Sequence, residues 1–312
     1  MLGKDSNYVP GWDCHGLPIE WKIEEKYRKK GEDKDQIPIV DFRKECRDFA
    51  EGWIEIQKEE FKRLGIIGDW ANPYTTMSYE AEAAIVAELG KFILNGGLYR
   101  GAKPVLWSVV EKTALAEAEV EYKDHTSNTI FTKFPIIKSA IKSLVDNSSI
   151  VIWTTTPWTI PGNRGIAYSA NNEYLCLLIK KVEPDSEAMV NDKVVVAESL
   201  LEEFCQGCHI SEYNIVDKFN GSHLEGTHCI HPFSGKGYDF EVPLLPADFV
   251  DMETGTGFVH IAPGHGYDDW VLGMEYGLPV PETVLGNGLY TDKLPIFGGQ
   301  HVFNADPLVI EE

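Results

Sequence analysis

Two stretches of the chain concentrate side chains that can do chemistry. In the first, Thr154, Thr155, Thr156 and Thr159 run up to Asn163, with Trp158 among them. Hydroxyls at that density hydrogen-bond a polar ligand and position water, while their methyl groups and an indole bound an apolar space. A bare threonine run reads as β-strand packing and nothing more, but Pro157 and Pro161 interrupt it and demand a shaped loop. In the second stretch His260 and His265 flank a Pro-Gly pair, and Asp268 and Asp269 follow. A histidine near neutral pH relays protons or hydrogen-bonds a sugar hydroxyl, although a lone histidine is more often a structural group. An ionised Asp269 in a closed site makes a directed contact to an ammonium group. The plainer alternative is that the two aspartates open a helix and do no more.

A third group lies near the start, where Trp12, Asp13, His15 and Glu20 fall within the string GWDCHGLPIE. Asp13 alone reads as a turn residue after Gly-Trp. A fourth, Cys205-Gln-Gly-Cys208-His209, fits a pattern for covalent haem attachment, and with His228, Cys229 and His231 it imitates a zinc site. The flanking Phe204 and Ile210 favour ordinary packing at a helix end over either ligand.

The elements that must position these residues change in texture along the chain. Apolar residues spaced three and four apart from 41 to 65 predict a long amphipathic helix with Asp41 as its N-cap. A second helix is expected from Ser78 through Ile93 to a Gly96-Gly97 stop. From about residue 127, short β-rich runs take over at 129–134, 149–155, 167–179, 193–197 and 256–261, with short helices at 199–204 and from Asp268. The change from helical to β-rich texture falls between 99 and 125. The division adopted is 1–125 and 126–312.

With 312 residues, 43% hydrophobic and 25% charged, the chain is long enough for about two globular domains. Its net charge of -21 opposes attraction to phosphate backbones and by itself argues against a nucleic-acid binder. No run approaches the ~18 apolar residues of a membrane span, and six scattered cysteines suit a reducing compartment. A cytoplasmic location is expected.

The string GWDCHGLPIE resembles the amino-acid-pocket motif of isoleucyl-tRNA synthetases, a family of class I aminoacyl-tRNA synthetases. LGIIGDWANPYTTM at 64–77 and KTALAEAEVEY at 112–122 match in order. TTTPWTIPGN at 154–163 is similar to the family's threonine-rich editing motif in its isoleucyl form, and GTGFVHIAPGHGYDDW at 255–270 to its second editing motif. The resemblance implies an α/β fold: a partial, mainly helical portion of a Rossmann-like catalytic domain (1–125), and a β-rich, barrel-like connective-peptide editing domain (126–312). The HIGH and KMSKS motifs do not occur in these residues, and WSVVEK at 107–112 lacks the zinc-binding cysteines of some relatives. An internal fragment is therefore expected, with synthesis dependent on sequence outside it.

The resemblance also implies a division of labour. Sensing one methylene between isoleucine and valine is worth only ~1–3 kcal/mol, a limit for which this family is itself the worked example, so a second, hydrolytic site must finish the discrimination. Thr154, Thr155, Thr156, Thr159, Asn163, His260 and Asp269 are expected to carry that editing chemistry, with Trp158 limiting side-chain size and Asp269 holding the α-ammonium. Asp13 is expected to pair with the amino group of isoleucine, with Trp12 and His15 shaping the pocket and Glu20 supporting it. No cofactor is expected here, and ATP with Mg is a substrate of the full-length enzyme. Expected partners are the 3' end of tRNA(Ile), isoleucine and valine, with no DNA, no membrane and a monomeric full-length form. The rival readings are a stand-alone trans-editing deacylase and a catalytically silent binding subunit.

Overall fold

Helices with one sparsely apolar face dominate the first hundred residues. The structure, a computed structural model, describes residues 3–4 and 6–312 and divides into two compact units, 1–101 and 102–312. The first unit runs β1 (Gly11–Trp12), α1 (Leu17–Lys29), α2 (Ile39–Arg63), β2 (Tyr74–Thr75) and α3 (Tyr79–Leu94). β1 and β2 pair in parallel, with Gly11 opposite Tyr74, the arrangement that needs a crossover through helices. α1 has no counterpart among the expected elements; its apolar residues are few, and Ile23 and Tyr27 on it are buried. α2 begins ahead of the expected start: Pro38 occupies the cap position, and Asp41 lies in the first turn, where a carboxylate still faces unpaired N–H groups. α3 begins as expected, with the Ser78 hydroxyl accepting from the Ala81 N–H at 3.2 Å. No residue of α3 is buried, and Ile85, Val86, Leu89, Phe92 and Ile93 are exposed.

The second unit opens with a hairpin of β3 (Trp107–Ser108) and β4 (Thr113–Ala114). The Trp107 indole donates to the Gly286 carbonyl at 2.8 Å, so this stretch belongs with the second unit. The division after Gly101 consequently precedes the 125/126 boundary read from the change of texture.

There follow β5 (Ile130–Lys138), α4 (Lys142–Val145), β6 (Ser148–Thr154), β7 (Gly165–Tyr168), β8 (Glu173–Val182), β9 (Lys193–Ala197), α5 (Leu201–Gly207), β10 (Ile210–Asn220), β11 (His228–Ile230), β12 (Glu241–Pro246), β13 (Phe258–Ile261), α6 (Tyr267–Glu275) and α7 (Ala305–Glu311). The strands make one nine-stranded mixed sheet in the order β10-β8-β9-β6-β5-β11-β12-β7-β13. β6, β8 and β9 each carry a short apolar run buried on both faces, at 150–152, 174–177 and 194–197, as inner strands of a covered sheet do. The run expected at 167–179 is two strands, β7 and β8, separated by a turn at Ala170-Asn171-Asn172.

The fold is α/β, and the sheet is not a closed barrel. β10 and β13 stand at opposite ends of the strand order, yet the sheet curls enough for its two halves to touch. The Tyr174 hydroxyl on β8 donates to the Gly257 carbonyl at 2.9 Å, its ring lies 4.8 Å from Phe258 on β13, and the Ala197 N–H donates to the Thr256 carbonyl at 2.9 Å. Phe134, Ile150, Ile152, Tyr174, Val195 and Phe258 fill the resulting core.

Candidate functional site

β6 ends at Thr154, and Pro157 turns the chain into a tight 3-10 segment, Pro157–Gly162. The Thr154 hydroxyl accepts from the Thr156 N–H at 3.1 Å, closing the corner. Thr154 is buried, Thr156 half-buried and Thr155 exposed, and the Thr155 and Thr156 hydroxyls lie 3.4 Å apart. Two hydroxyls therefore face outward from a corner whose other threonines support it.

The second stretch adjoins from β13. His260 Nε2 is 2.8 Å from the Thr159 hydroxyl, and His260 Nδ1 is 3.2 Å from the Asn163 amide nitrogen. Thr159 donates its own proton to the Thr156 carbonyl at 2.8 Å, so it accepts from His260 Nε2–H, and Nδ1 accepts from Asn163. The second amide proton of Asn163 goes to the Gly165 carbonyl at 2.9 Å. Burial pushes the His260 pKa down to about 3, so the ring is neutral with both nitrogens engaged. Both ring nitrogens of His260 are thus turned to protein groups, and Asn163, fully buried, keeps its Oδ1 without a hydrogen-bond partner among the described residues. Side-chain type carried no information on which way either group points.

Asp269 sits in the first turn of α6. Its Oδ2 accepts from the Ala262 N–H at 2.8 Å, and burial raises its pKa to about 6 against the lowering effect of that bond. It lies in the first turn of the helix, as the helix-opening reading has it, and ties that turn to the β13 loop. His265 meets the Trp158 ring edge-on at 5.1 Å, and burial lowers its pKa to about 4. A Cβ at Gly162 would lie 2.9 Å from His265 Cδ2, so a side chain there would displace that ring.

In the first unit Trp12 donates from Nε1 to Gln57 at 2.9 Å. Asp13 is exposed and accepts from the His15 N–H and the Thr76 hydroxyl, each at 3.3 Å, the turn role that its position suggested. His15 Nε2 lies 3.2 Å from Glu82. A cavity of about 800 Å³ in this unit is bordered by His15 and Glu20, together with Cys46 and Arg47. Trp12 and Asp13 are not among its lining residues.

The Cys205–His209 pattern does not assemble a ligand set. Cys205 packs in an apolar cluster with Phe204 and Ile210, and Cys208 lies against it. Burial raises the two thiols to about 11 and about 12, against the thiolate form that haem thioether chemistry or zinc requires. His231 is buried elsewhere, with Nε2 3.0 Å from the Ile160 carbonyl, and Cys229 is fully buried. Among the described residues, the grouping close enough to share an ion is Glu183, Asp185 and His209, all exposed.

Residues 1–276 match the family described as tRNA synthetases class I (I, L, M and V). The chain belongs to that family. It is 57% identical over 312 residues to the isoleucine–tRNA ligase of Pelagibacter ubique (strain HTCC1062), covering 100% of this chain and 34% of that one. It is 52% identical over 310 residues to the isoleucine–tRNA ligase of Gluconobacter oxydans (strain 621H), covering 99% and 32%. The chain thus spans about a third of the length of the curated relatives it matches. Among solved structures, the P. knowlesi cytosolic leucyl-tRNA synthetase editing domain is similar at TM-score 0.42 and 14% identity, over 59% of this chain and 93% of that one, too loosely to bear on the argument.

Within this family member, several supports of the corner lie outside both motifs. His231 holds the Ile160 carbonyl, Tyr290 the Trp158 carbonyl, Asp306 the Trp158 N–H and Thr283 the His265 ring. Local sequence offers no signal for them, because each reaches the corner through long-range folding. Among the described residues no helix is long and apolar enough to cross a membrane.

Proposed function

We propose that this chain is part of an isoleucine–tRNA ligase and that residues 154–163 and 255–270 form a site that hydrolyses valine from wrongly charged tRNA(Ile). The observation that carries the reading is the 2.8 Å contact between Thr159 and His260, which joins the two stretches into one surround. The names of the relatives support a ligase segment over a stand-alone deacylase or a silent binding subunit.

In this reading the terminal ribose ester of valyl-tRNA lies against Thr155 and Thr156, whose hydroxyls orient it and the attacking water. Water adds to the ester carbonyl carbon, the ester C–O bond breaks, and the ribose oxygen leaves with a proton. A neighbouring ribose hydroxyl assists, in line with the neutral, fully engaged state of His260. Asp269 in its ionised form holds the α-ammonium. Thr159, Asn163 and His260 keep the corner in place, and Trp158 bounds the side chain. In the whole protein the substrates are isoleucine, ATP with Mg, and tRNA(Ile). In the first unit His15 and Glu20, which border the cavity, contribute to the amino-acid pocket, and Asp13 and Trp12, outside that lining, support it through their bonds to Thr76 and Gln57. A cytoplasmic, monomeric enzyme without DNA or membrane partners completes the proposal.

Incubating the chain with Val-tRNA(Ile) and, separately, Ile-tRNA(Ile) tests it. Faster hydrolysis of the valyl ester is expected; equal rates, or none from folded protein, refute the reading.

A further inference from the structure

Trp158 and His265 form a half-buried aromatic pair, edge to face at 5.1 Å, and both are fixed from one stretch of chain that neither motif contains. The Tyr290 hydroxyl donates to the Trp158 carbonyl, and Asp306 Oδ1 accepts from the Trp158 N–H at 2.9 Å. Both backbone polar groups of that residue are thereby held. The Thr283 hydroxyl lies 2.7 Å from His265 Nε2. Thr283 and Tyr290 are buried at 3% and 1% exposure, so neither bond is readily exchanged for water. α7, which carries Asp306, starts at Ala305, itself fully buried. A pair pinned at three points, with Gly162 pressed against one ring, has little room to retreat from a larger ligand.

We infer that residues 283–306 set the size limit of the hydrolytic site: Thr283, Tyr290 and Asp306 are positioning residues that hold Trp158 and His265 as a rigid wall, which admits the side chain of valine and turns away one longer by a methylene. The inference rests on the hydrolytic reading above. A loosened wall loses discrimination before it loses hydrolysis, because the smaller ester still fits while the larger one gains room. A role in stability alone moves both esters together.

The test compares kcat/KM for Val-tRNA(Ile) and Ile-tRNA(Ile) in the full 312-residue chain and in Thr283→Val, Tyr290→Phe, Asp306→Ala and Asp306→Asn, with Tm measured alongside. In the first three variants the valyl-to-isoleucyl ratio falls roughly threefold to tenfold, the effect of one buried hydrogen bond. Asp306→Asn keeps an acceptor oxygen and stays nearer the parent ratio. Combining Thr283→Val with Tyr290→Phe lowers the ratio by less than the product of the single effects, since both loosen one wall. A discriminating parent whose variants keep the ratio, or lose both rates in step with Tm, overturns the inference alone. A parent that hydrolyses neither ester overturns the hydrolytic reading and the inference with it.

Discussion

Asp269 has to be charged to hold an ammonium group, and it sits where charge is resisted. Burial raises its pKa from 3.8 to about 6, so the carboxylate forms only as pH rises through that value. Hydrolysis of the valyl ester is expected to climb through about pH 6 and level off above it, in a profile of kcat/KM against pH. An Asp269→Asn variant should be slow and lack that inflection. Stability carries the opposite sign. A carboxyl whose folded pKa is raised contributes stability that is present below about pH 4 and lost as pH passes about 6. His260 contributes no inflection near neutrality, because burial and its bonds to Thr159 and Asn163 keep it neutral. The sequence showed which residues gather here. It did not show that Thr155 and Thr156 face outward while Thr154, Thr159, Asn163 and His260 face inward, since that division is set by how the 3-10 segment packs on β13.

At the scale of elements, the corner depends on close approach. Gly162→Ala would place a methyl group within 3.1 Å of two His265 ring atoms, so thermal stability is expected to fall, by about 1–3 kcal/mol if the ring cannot shift, together with valyl-ester hydrolysis. Gly52 in α2 has nothing within 4 Å of a built Cβ, and Gly52→Ala should stabilise by ~0.5–1 kcal/mol through helix propensity. Thermal melts of the two variants read both effects, and a stabilised Gly162→Ala would contradict the packing account. Strands with unbroken aliphatic runs were the most legible elements. β6 and β9 carry unbroken aliphatic runs and stood out in the sequence. α1 carries few apolar residues, and β10 is an edge strand exposed along most of its length and broken by bulges; neither stood out. The 167–179 run concealed a turn because aliphatic residues flank it on both sides.

At the scale of the whole molecule, a charge of -21 has to be reconciled with the proposed tRNA substrate. The reconciliation proposed is that this segment handles only the 3' end and that basic parts of a longer protein hold the tRNA body. The dependence of KM on salt follows. Each phosphate neutralised by a protein cation steepens the logarithmic slope by ~0.7–0.9, so a segment touching only the terminal nucleotides should show a slope of about one or two, read from KM for Val-tRNA(Ile) between low and moderate salt. A slope of about six or more would mean that the chain grips the tRNA body itself. The exposed apolar residues of α3, Phe92 and Ile93 among them, show that the first unit leaves broad apolar surface uncovered. Family membership was legible in the motifs, whereas the attachment of the 107–114 hairpin to the second unit was not, because it is made by long-range contacts such as the Trp107 indole bond to Gly286.

The measurement that bears most directly on the central claim is hydrolysis of Val-tRNA(Ile) by the parent chain and by Asp269→Ala at pH 7.5, with folding of both checked by circular dichroism. Loss of one charge-assisted bond worth ~1.5–3 kcal/mol predicts a fall in kcat/KM of roughly tenfold to a hundredfold in the variant. A folded Asp269→Ala that hydrolyses the valyl ester as fast as the parent would contradict the account.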